Sequence, residues 1–262
     1  MTKRRTGVAA DADDHDKLAA LAEKLGLTAV PPVLPDLLRQ AEQEGLSYSA
    51  FGRALLGAEV QARQVRRVTR SLKRSRLGTV EGLEGFDHAA RPQLEPRVIR
   101  ELQDCRFVAE HRNVLCLGRA GLGKTRIAKA LAHAACLKGY SVRFTSAADM
   151  LEDLHASLAD GSLRLLLRRY TKPDLLLIDE LDYGPLDTEL AGHLFRVVAA
   201  RHHRGSIVLT ANSGFTKWSR LFPSEPQAVA TVDRLIDQAT ILRFTGKSFR
   251  QPREVHGAPL DE

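Results

Sequence analysis

Residues 118–125 read GRAGLGKT, a stretch that fits the pattern G-x-x-x-x-G-K-[ST] at every fixed position. An apolar run, VLCL at 114–117, precedes it, and a helical pattern that ends at Gly139 follows it. Glycines allow successive backbone N–H groups to surround phosphate oxygens, and the N-terminus of a helix adds positive potential. The order of strand, glycine-rich loop and helix therefore predicts a phosphate-binding loop and argues against a chance match.

The residues of this loop have distinct predicted roles. The Lys124 ammonium should reach the β- and γ-phosphates of a nucleoside triphosphate, and the Thr125 hydroxyl should ligate Mg²⁺. The predicted cofactors are ATP and Mg²⁺. The other predicted nucleotide contacts come from the loop and the first helical turn: Gly118, Ala120, Gly121, Leu122, Gly123 and Arg126.

An acidic pair follows a second apolar run in DLLLIDE, residues 174–180. Asp179, at the end of the predicted strand, suits the Mg²⁺-associated carboxylate of a P-loop NTPase, and Glu180 is placed to polarise an attacking water. A surface acidic pair is the alternative, which the phosphate-binding loop disfavours. The Asp-Glu pair indicates water as the acceptor of the phosphoryl group, and therefore hydrolysis. A small-molecule kinase would instead need an acceptor site and an arginine-rich lid, and the sequence displays neither.

Two further residues are candidates for the reaction. Asn212 follows a predicted strand and could position the water or sense the γ-phosphate, although asparagine after a strand is often a turn former. Arg234 lies in a predicted helix at 231–238, and an arginine presented by a neighbouring subunit would stabilise the transferring phosphoryl group. An intrahelical pair with Asp237 and a solvated charge are equally open for Arg234. Arg220 and Arg243 are weaker rivals for the same role.

Apolar runs of strand length alternate with helical patterns beyond residue 95. Continuous apolar strands separated by helices are what a buried parallel sheet requires. We therefore predict a three-layer α/β domain of the P-loop NTPase type with a five-stranded parallel sheet. The five runs are VLCL (114–117), SVRFT (141–145), LLLI (175–178), SIVLT (206–210) and TILRF (240–244).

The basic charge of the chain is local. Lysine and arginine total 39 and aspartate and glutamate 32, so the formal net charge is 39 − 32 = +7. The segment RQVRRVTRSLKRSR at 63–76 holds seven basic residues and no acid, which equals the whole net charge. Spacings of three and four predict an amphipathic helix whose apolar stripe is Val65, Val68 and Leu72. A solvated face is the alternative to an anionic partner. The predicted contacts with an anionic partner, which the resemblance described below implies to be DNA, are Arg63, Arg66, Arg67, Arg70, Lys73 and Arg74.

The pattern along the chain predicts three regions. They are an N-terminal extension that is partly disordered (1–33), a helical basic domain for DNA or partner binding (34–90) and an ATPase domain (91–262). The first two regions should contain a short helix from Asp14 to Leu25, a breaker-rich linker TAVPPVLP (28–35), a helix over 36–44 and a long helix over 47–77.

The composition excludes several classes of protein. No apolar run approaches the ~20 residues that a membrane helix needs, and the N-terminus lacks the apolar region of a secretory signal. The three cysteines, Cys105, Cys116 and Cys136, are odd in number and include no C-x-x-C pair. They are therefore expected to be buried, unpaired cysteines that pack like small apolar side chains in a reducing compartment. The protein is accordingly expected in the cytoplasm and not at the membrane.

Taken together, GRAGLGKT, LLLIDE, TAN (210–212) and VDRLID (232–237) resemble the motifs of AAA+ ATPases. More narrowly, the chain resembles the IstB-type helper ATPases of bacterial insertion sequences and their relatives, the DnaC-like helicase loaders. The basic run, the segment HAACLKGYSVRFTSAADMLEDL (133–154) and TGKSFR (245–250) narrow the resemblance, which covers about residues 34 to 255.

The resemblance implies a function. Members of the family bind ATP, assemble into rings or spirals, bind duplex DNA with little sequence preference and recruit a transposase, and ATP hydrolysis releases the complex. Carried onto this chain, Lys124 and Thr125 hold ATP and Mg²⁺, and Asp179 and Glu180 complete the hydrolytic site. Asn212 becomes the γ-phosphate sensor and Arg234 the arginine acting in trans.

Two departures from the broader AAA+ pattern accompany the resemblance. Only 18 residues follow Phe244, too few for the helical lid of many AAA+ proteins, so no lid and no second sensor arginine are expected. The first 30 or so residues lie outside the family pattern and receive no predicted role.

Two other functions remain as alternatives. A helicase loader would dock a helicase through its N-terminal helices and prefer single-stranded DNA, whereas the transposition helper should bind duplex DNA. A metabolic P-loop kinase would be a monomer without DNA-stimulated turnover.

Overall fold

The computed structural model describes residues 5–83, 86, 93–159, 161–182, 184–218, 220–246 and 248–249, with the backbone alone for 5–12. The chain divides into two compact units, Met1–Thr69 and Arg70–Glu262. The boundary falls within one long helix. None of the helices in the described ranges has the length and apolarity that crossing a bilayer requires.

The first unit is helical. Helix α1 (Arg5–Lys24) packs against α2 (Val30–Glu44), and α3 (Tyr48–Ser75) follows and continues past the boundary. Ala22, Val30 and Leu34 are buried in this unit. Helix α1 begins earlier than the predicted start at Asp14, and α3 runs unbroken through the region where glycines weaken the helical pattern.

The prediction of a linker over 28–35 is wrong for most of its length, because α2 already begins at Val30. Pro31 and Pro32 occupy the first turn, where backbone N–H groups have no partner within the helix, so proline costs no hydrogen bond there. Pro35 lies inside the helix, where its ring removes one backbone hydrogen bond. Gly45 ends α2 in a left-handed conformation, as the sequence predicts.

The second unit is a three-layer α/β structure built on five parallel strands in the order β2-β3-β4-β1-β5. The strands are β1 (Val114–Gly118), β2 (Val142–Ser146), β3 (Leu175–Asp179), β4 (Ser206–Ala211) and β5 (Thr240–Phe244). The helices are α4 (Pro96–Gln103), α5 (Arg106–Ala109), α6 (Lys124–Leu137), α7 (Ala147–Ala156), α8 (Leu163–Thr171), α9 (Thr188–Arg201), α10 (Phe215–Trp218) and α11 (Glu225–Ile236). All five predicted strands are confirmed, and with them the predicted fold class.

The apolar runs are continuous because both faces of the sheet are covered. In β1, Val114 and Cys116 contribute to one core cluster, whereas Leu115 and Leu117 contribute to the cluster on the opposite face. Strand β3 alternates in the same way. Successive side chains of a strand point to opposite faces, so a strand covered on both sides has no polar positions in its middle.

Elements near the C-terminus differ in part from the sequence prediction. Helix α11 begins at Glu225, earlier than the predicted start at Thr231, and Ser224 and Pro226 mark this start. It ends at Ile236, so Asp237 lies just beyond it. The expected absence of a helical lid concerns a segment of which 247 and 250–262 lie outside the described residues.

The three cysteines are free and buried, as the sequence predicts. Burial raises the pKa of Cys105 to about 11 and that of Cys116 to about 12, so both thiols are protonated at neutral pH.

Arg201 is a buried charge that ties helices to the sheet. The residue is 1% exposed, and its guanidinium donates to the carbonyls of Tyr170, Pro173 and Ser206 at 2.9, 2.8 and 2.7 Å. It also donates to Asp174 O at 3.1 Å. Burial lowers the pKa of Arg201 to about 10, which leaves the side chain charged at neutral pH. One residue thus connects the end of α8, the start of β3 and the start of β4.

Arg201→Lys is expected to lower the free energy of unfolding by about 2 kcal/mol, because an ammonium cannot reach this spread of carbonyls and leaves some buried acceptors unpaired. Urea denaturation followed by circular dichroism measures the loss. The matched control is Arg204→Lys, an exposed position three residues further on. Equal stabilities for the two variants would contradict the assigned role of Arg201.

Candidate nucleotide-binding site

The predicted site residues converge at the carboxyl ends of three neighbouring strands. Strand β4 lies between β1 and β3 in the sheet. The glycine-rich loop follows β1, Asp179 ends β3 and Asn212 directly follows β4. Because the strands are parallel, these three ends meet at one edge of the sheet, where ligands of open α/β sheets bind.

Lys124 begins α6 and is nearly buried, with 6% of its surface exposed. Its Nζ donates to the carbonyl of Arg119 at 2.8 Å and to Oδ1 of Asn212 at 2.9 Å. Burial lowers the pKa of Lys124, and the carboxylates of Asp182 and Asp179 act in the opposite direction. The contact with Asn212 brings two residues that the sequence separates by 88 positions into one constellation.

Thr125 and Asp179 form the arrangement expected of an Mg²⁺ site. The Thr125 hydroxyl donates to Oδ1 of Asp179 at 2.9 Å, and Oδ2 lies at 3.2 Å. The Thr210 hydroxyl donates to Oδ1 of Asp179 at 2.6 Å. A hydroxyl and a carboxylate are hard oxygen donors, which Mg²⁺ prefers, so these residues fit the ion.

Glu180 has an unusual backbone conformation, with φ of 56°. Non-glycine residues rarely adopt this left-handed region, and such strain persists only where the surroundings enforce it. Here Glu180 N–H donates to the Thr210 hydroxyl at 2.9 Å, and Leu181 N–H donates to the Thr210 carbonyl at 3.0 Å. The exposed Glu180 side chain lines the cavity beside the glycine-rich loop.

Asp182 fixes the position of Asn212, a role that the sequence analysis missed. Its Oδ1 accepts from Asn212 N–H at 2.7 Å and its Oδ2 from Ser213 N–H at 2.6 Å. The two backbone bonds hold the segment after β4 against the segment after β3. The sequence offered one signal for this role, namely an acidic residue three positions after Asp179.

A cavity of about 540 Å³ opens over the glycine-rich loop. Its lining includes seven consecutive residues, 120–126, together with Glu180 and Asn212. Three further lining residues were not predicted: Glu81, Phe86 and Phe249. Phe249 N–H donates to the Gly121 carbonyl at 2.8 Å, which holds this segment beside the loop. Phe86 gave no signal in the sequence, and Phe249 lies in TGKSFR (245–250), which supported the family resemblance without indicating a place in the site.

Two glycines of the loop are required for different reasons. Gly118 is not among the residues that line the cavity, and its contact with the nucleotide stays a prediction. A Cβ at Gly118 would lie 2.1 Å from the Phe244 carbonyl oxygen, so the neighbouring strand excludes any side chain there. Gly123 has φ of 89° and faces Phe86, and it starts α6 in a conformation that favours glycine.

Arg126 lines the cavity as predicted, but its guanidinium also has a structural partner. Its Nη2 donates to the Gly82 carbonyl at 2.9 Å, and its Cζ lies 5.9 Å from the centre of the Phe86 ring. Arg126 therefore connects the first turn of α6 to the segment that precedes the ATPase fold.

Arg234 lies near the end of α11 and does not line the cavity. Its Nη1 donates to the Ala230 carbonyl at 2.7 Å, and its Cζ lies 5.0 Å from the centre of the Phe195 ring. The alternative of a pair with Asp237 is wrong, because Asp237 contacts His202 and His203 instead. The rivals Arg220 and Arg243 are exposed and also lie outside the cavity lining.

Two arginines of the basic segment have an ion-pair partner that lies outside the segment. Glu59, one turn before the segment, is 3% exposed and accepts from Arg63 and Arg66, both at 2.8 Å. Arg66 also donates to the Thr28 hydroxyl at 2.7 Å. The pKa of Glu59 is lowered, chiefly by a hydrogen bond from Ala29 N–H and then by one from Arg63. Arg63 and Arg66 therefore have an acidic partner in the same helix, and their contact with DNA stays a prediction.

The remaining four predicted DNA contacts, Arg67, Arg70, Lys73 and Arg74, are exposed. Within the described residues, none of these four side chains forms a hydrogen bond or an ion pair. Of the predicted apolar stripe, only the C-terminal part is packed against other residues. Leu72 packs against the core of the second unit, whereas Val65 is 59% exposed.

The fold and this site define the class of the protein. A parallel sheet with a glycine-rich loop after β1, a lysine and threonine opening α6 and an acidic pair after β3 make it a P-loop ATPase of the AAA+ type. A comparison with family models agrees, since residues 20–256 match the model described as IstB-like ATP binding protein. The chain belongs to this family.

Related proteins support the assignment. A protein named as the ATP-binding protein of insertion sequence IS5376, from Geobacillus stearothermophilus, is 35% identical over 210 residues, which are 80% of this chain and 84% of that protein. The corresponding protein of insertion sequence IS21, from Pseudomonas aeruginosa, is 33% identical over 234 residues, or 89% of this chain and 88% of that protein.

Solved structures show the same fold at lower identity. The crystal structure of the DnaC helicase loader has a TM-score of 0.52 and 19% identity, covering 67% of this chain and 99% of that chain. The crystal structure of a DNA replication initiation factor has a TM-score of 0.52 and 20% identity, covering 62% of this chain and 49% of that chain.

Proposed function

We propose that this ATPase assembles as a homo-oligomer on duplex DNA in its ATP-bound form, recruits a transposase, and leaves the complex after hydrolysis. The observation that carries the ATP-dependent part of the proposal is the contact between Lys124 and Asn212, which joins the phosphate-binding lysine to the strand end beside the acidic pair. The names of the insertion-sequence relatives support the link to transposition. The exposed cations of α3 support contact with nucleic acid.

Each residue of the site has a proposed part in hydrolysis. Lys124 binds the β- and γ-phosphates, and the hydroxyl of Thr125 and the carboxylate of Asp179 hold Mg²⁺. The ion, when bound, neutralises charge on the phosphate oxygens. Glu180 accepts a proton from the attacking water, and its strained backbone aims the carboxylate into the cavity.

The Lys124–Asn212 contact suggests how the site senses the γ-phosphate. The amide oxygen of Asn212 accepts from Lys124 in the described structure. An anionic phosphate is a stronger acceptor for an ammonium than a neutral amide, so ATP competes for Lys124. Asn212 stays in place through Asp182 and can then donate its amide N–H to the γ-phosphate. ADP lacks the γ-phosphate, so the Asn212 amide has no phosphate to contact when ADP is bound, whereas Lys124 still contacts the β-phosphate.

Arg234 is proposed to act on the ATP of a neighbouring subunit. Arg234→Ala should lower hydrolysis at least about ten-fold without changing the ATP affinity of a dilute monomer, because the transferring phosphoryl group loses a cation. Mixing Arg234→Ala with Glu180→Gln protein in equal amounts should restore hydrolysis, since about one quarter of the interfaces then pair an intact Glu180 with an intact Arg234. A phosphate-release assay measures both effects.

Arg243→Ala, an exposed arginine on β5, is the matched control for Arg234→Ala. A mixture that hydrolyses no faster than the two variants measured apart would contradict action in trans. Loss of ATP binding by the dilute Arg234→Ala monomer would contradict it as well.

The α3 cations are proposed to contact DNA phosphates without reading bases. Four contacts, one each from Arg67, Arg70, Lys73 and Arg74, predict that log K falls with log salt with a slope of about −3.6. Arg70→Gln should reduce the magnitude of the slope by about 0.9 and weaken binding equally on unrelated sequences. Fluorescence anisotropy with a labelled duplex over a range of salt concentrations measures the slope.

The matched control for the salt series is Arg168→Gln, an exposed arginine on α8. A slope that Arg70→Gln leaves unchanged, or an affinity independent of salt, would remove α3 as the contact surface. Preference for single-stranded over duplex DNA in the same assay would favour a helicase loader instead.

A further inference from the structure

Two adjacent histidines and an aspartate meet at the edge of the sheet opposite the nucleotide cavity. His202 and His203 lie in the turn between α9 and β4, and Asp237 lies in the turn between α11 and β5. Both turns precede their strands, whereas the cavity lies where strands end. In the part of the chain that the structure describes, this is the one group of three metal-ligating residues whose ligand atoms all lie within 4.8 Å of one another.

The distances within this group suit a tetrahedral metal ion. Oδ2 of Asp237 lies 2.8 Å from Nε2 of His202 and 3.3 Å from Nε2 of His203. Zinc binds imidazole nitrogen and carboxylate oxygen at about 2.0–2.1 Å, so two ligand atoms at a tetrahedral angle are ~3.3 Å apart. Each imidazole therefore directs its Nε2 at the same oxygen, Oδ2 of Asp237. The two N–O distances are close to the distance between neighbouring ligand atoms around a zinc ion.

The backbone holds the two histidines in a strained arrangement. His203 has φ of 57°, a left-handed conformation that is uncommon for residues other than glycine. It brings two successive imidazole rings to a centroid distance of 3.8 Å. Residues held in such conformations cluster at functional sites, because the surrounding structure must maintain the strain.

Buried residues fix both turns in place. The Asn113 side chain donates to the Leu235 carbonyl at 3.0 Å and accepts from Ile207 N–H at 2.8 Å, so it ties the end of α11 to the start of β4. Arg201, immediately before His202, donates to the Ser206 carbonyl at 2.7 Å. The ligands are thus supported by groups that are themselves immobilised, as a binding site requires.

We propose that His202, His203 and Asp237 bind a first-row divalent cation, with Zn²⁺ as the preferred ion. Two imidazole nitrogens and one carboxylate oxygen form a ligand set typical of zinc, and a water molecule would complete the tetrahedron. The bound ion connects the turn after α9 to the turn after α11. It therefore stabilises α11 on the sheet, at a site separate from that of ATP.

The test uses the full-length chain, stripped of metal by a chelator and kept in excess Mg²⁺ so that the oxygen ligands of the nucleotide site are occupied. Zn²⁺ is titrated in competition with a chromophoric chelator. The wild type should bind one equivalent, and His203→Asn should bind at least about ten-fold more weakly, because loss of a direct ligand costs no less than loss of a supporting residue. The matched control is His155→Asn, since His155 is also exposed and lies 3.1 Å from a carboxylate, that of Glu189.

Two further readouts separate ligation from an effect on folding. Co²⁺ should give the visible bands of a tetrahedral site in the wild type and not in His203→Asn or Asp237→Asn. Zn²⁺ should raise the Tm of the wild type by a few degrees and leave that of His203→Asn unchanged. His203 is 62% exposed, so metal-free His203→Asn should have the same Tm as the metal-free wild type. Equal Zn²⁺ affinity in wild type and His203→Asn, or no Zn²⁺ binding by the wild type, would overturn the proposal and leave a hydrogen-bonded trio.

Discussion

Lys124→Ala is expected to weaken ATP binding about 10³-fold. The ammonium should contact two phosphate groups, and each charge-assisted hydrogen bond contributes about 1.5–3 kcal/mol, so the loss is about 4 kcal/mol. The 6% exposure of Lys124 strengthens these bonds, because little water is available to replace them. Isothermal titration calorimetry with ATP and Mg²⁺ measures the change.

The control for this experiment is Lys129→Ala, a lysine on the same helix that lies over the Phe144 ring, 4.6 Å from its centre, and does not line the cavity. Lys129→Ala should bind ATP with the affinity of the wild type, and only Lys124→Ala should bind ATP more weakly. ATP affinity within a few-fold of wild type for Lys124→Ala would contradict the assignment of the phosphate-binding loop.

Glu180→Gln is expected to lower the rate of hydrolysis about 10³-fold while ATP affinity stays within a few-fold of wild type. The amide keeps the shape of the side chain but cannot accept a proton from water. Because the backbone at Glu180 is held by Thr210, the replacement should leave the strand end unchanged. Single-turnover hydrolysis of radiolabelled ATP measures the chemical step.

Glu189→Gln, an exposed carboxylate in the first turn of α9, is the matched control. Glu180→Gln should also prolong the lifetime of the ATP-bound assembly on DNA, since release is proposed to depend on hydrolysis. Wild-type turnover by Glu180→Gln would remove Glu180 from the role of general base.

The sheet was predictable because its three central strands, β1, β3 and β4, are buried on both faces. Five apolar runs at the correct spacing, with a complete phosphate-binding motif after the first, leave few alternatives. The start of α2 was not predictable from the sequence, because the rule that prolines break helices does not hold in the first turn of a helix. The pattern at 28–35 is the same in a linker and in a helix start, and tertiary packing of Val30 and Leu34 decides between them.

The candidate site was predictable where side chains follow strands or the loop directly. Thr125, Asp179 and Asn212 occupy strand or helix ends, so the topology alone brings them together. Phe86 and Phe249 come from connecting segments whose positions depend on long-range packing. Phe249 lies in TGKSFR, which supported the family resemblance but gave no indication of a place beside the glycine-rich loop. The pairing of Arg63 and Arg66 was missed because Glu59 lies just outside the basic segment, one helical turn earlier.

The central proposal is that ATP controls assembly on duplex DNA. Sedimentation velocity with a duplex of about 50 base pairs tests it most directly, in Mg²⁺ with ATP and then with ADP, using the wild type and Glu180→Gln. Several subunits per duplex should sediment together with ATP, persist longest with Glu180→Gln, and be absent with ADP and with Lys124→Ala. The same particle mass with ATP and with ADP, or no assembly on the duplex at all, would contradict the proposal.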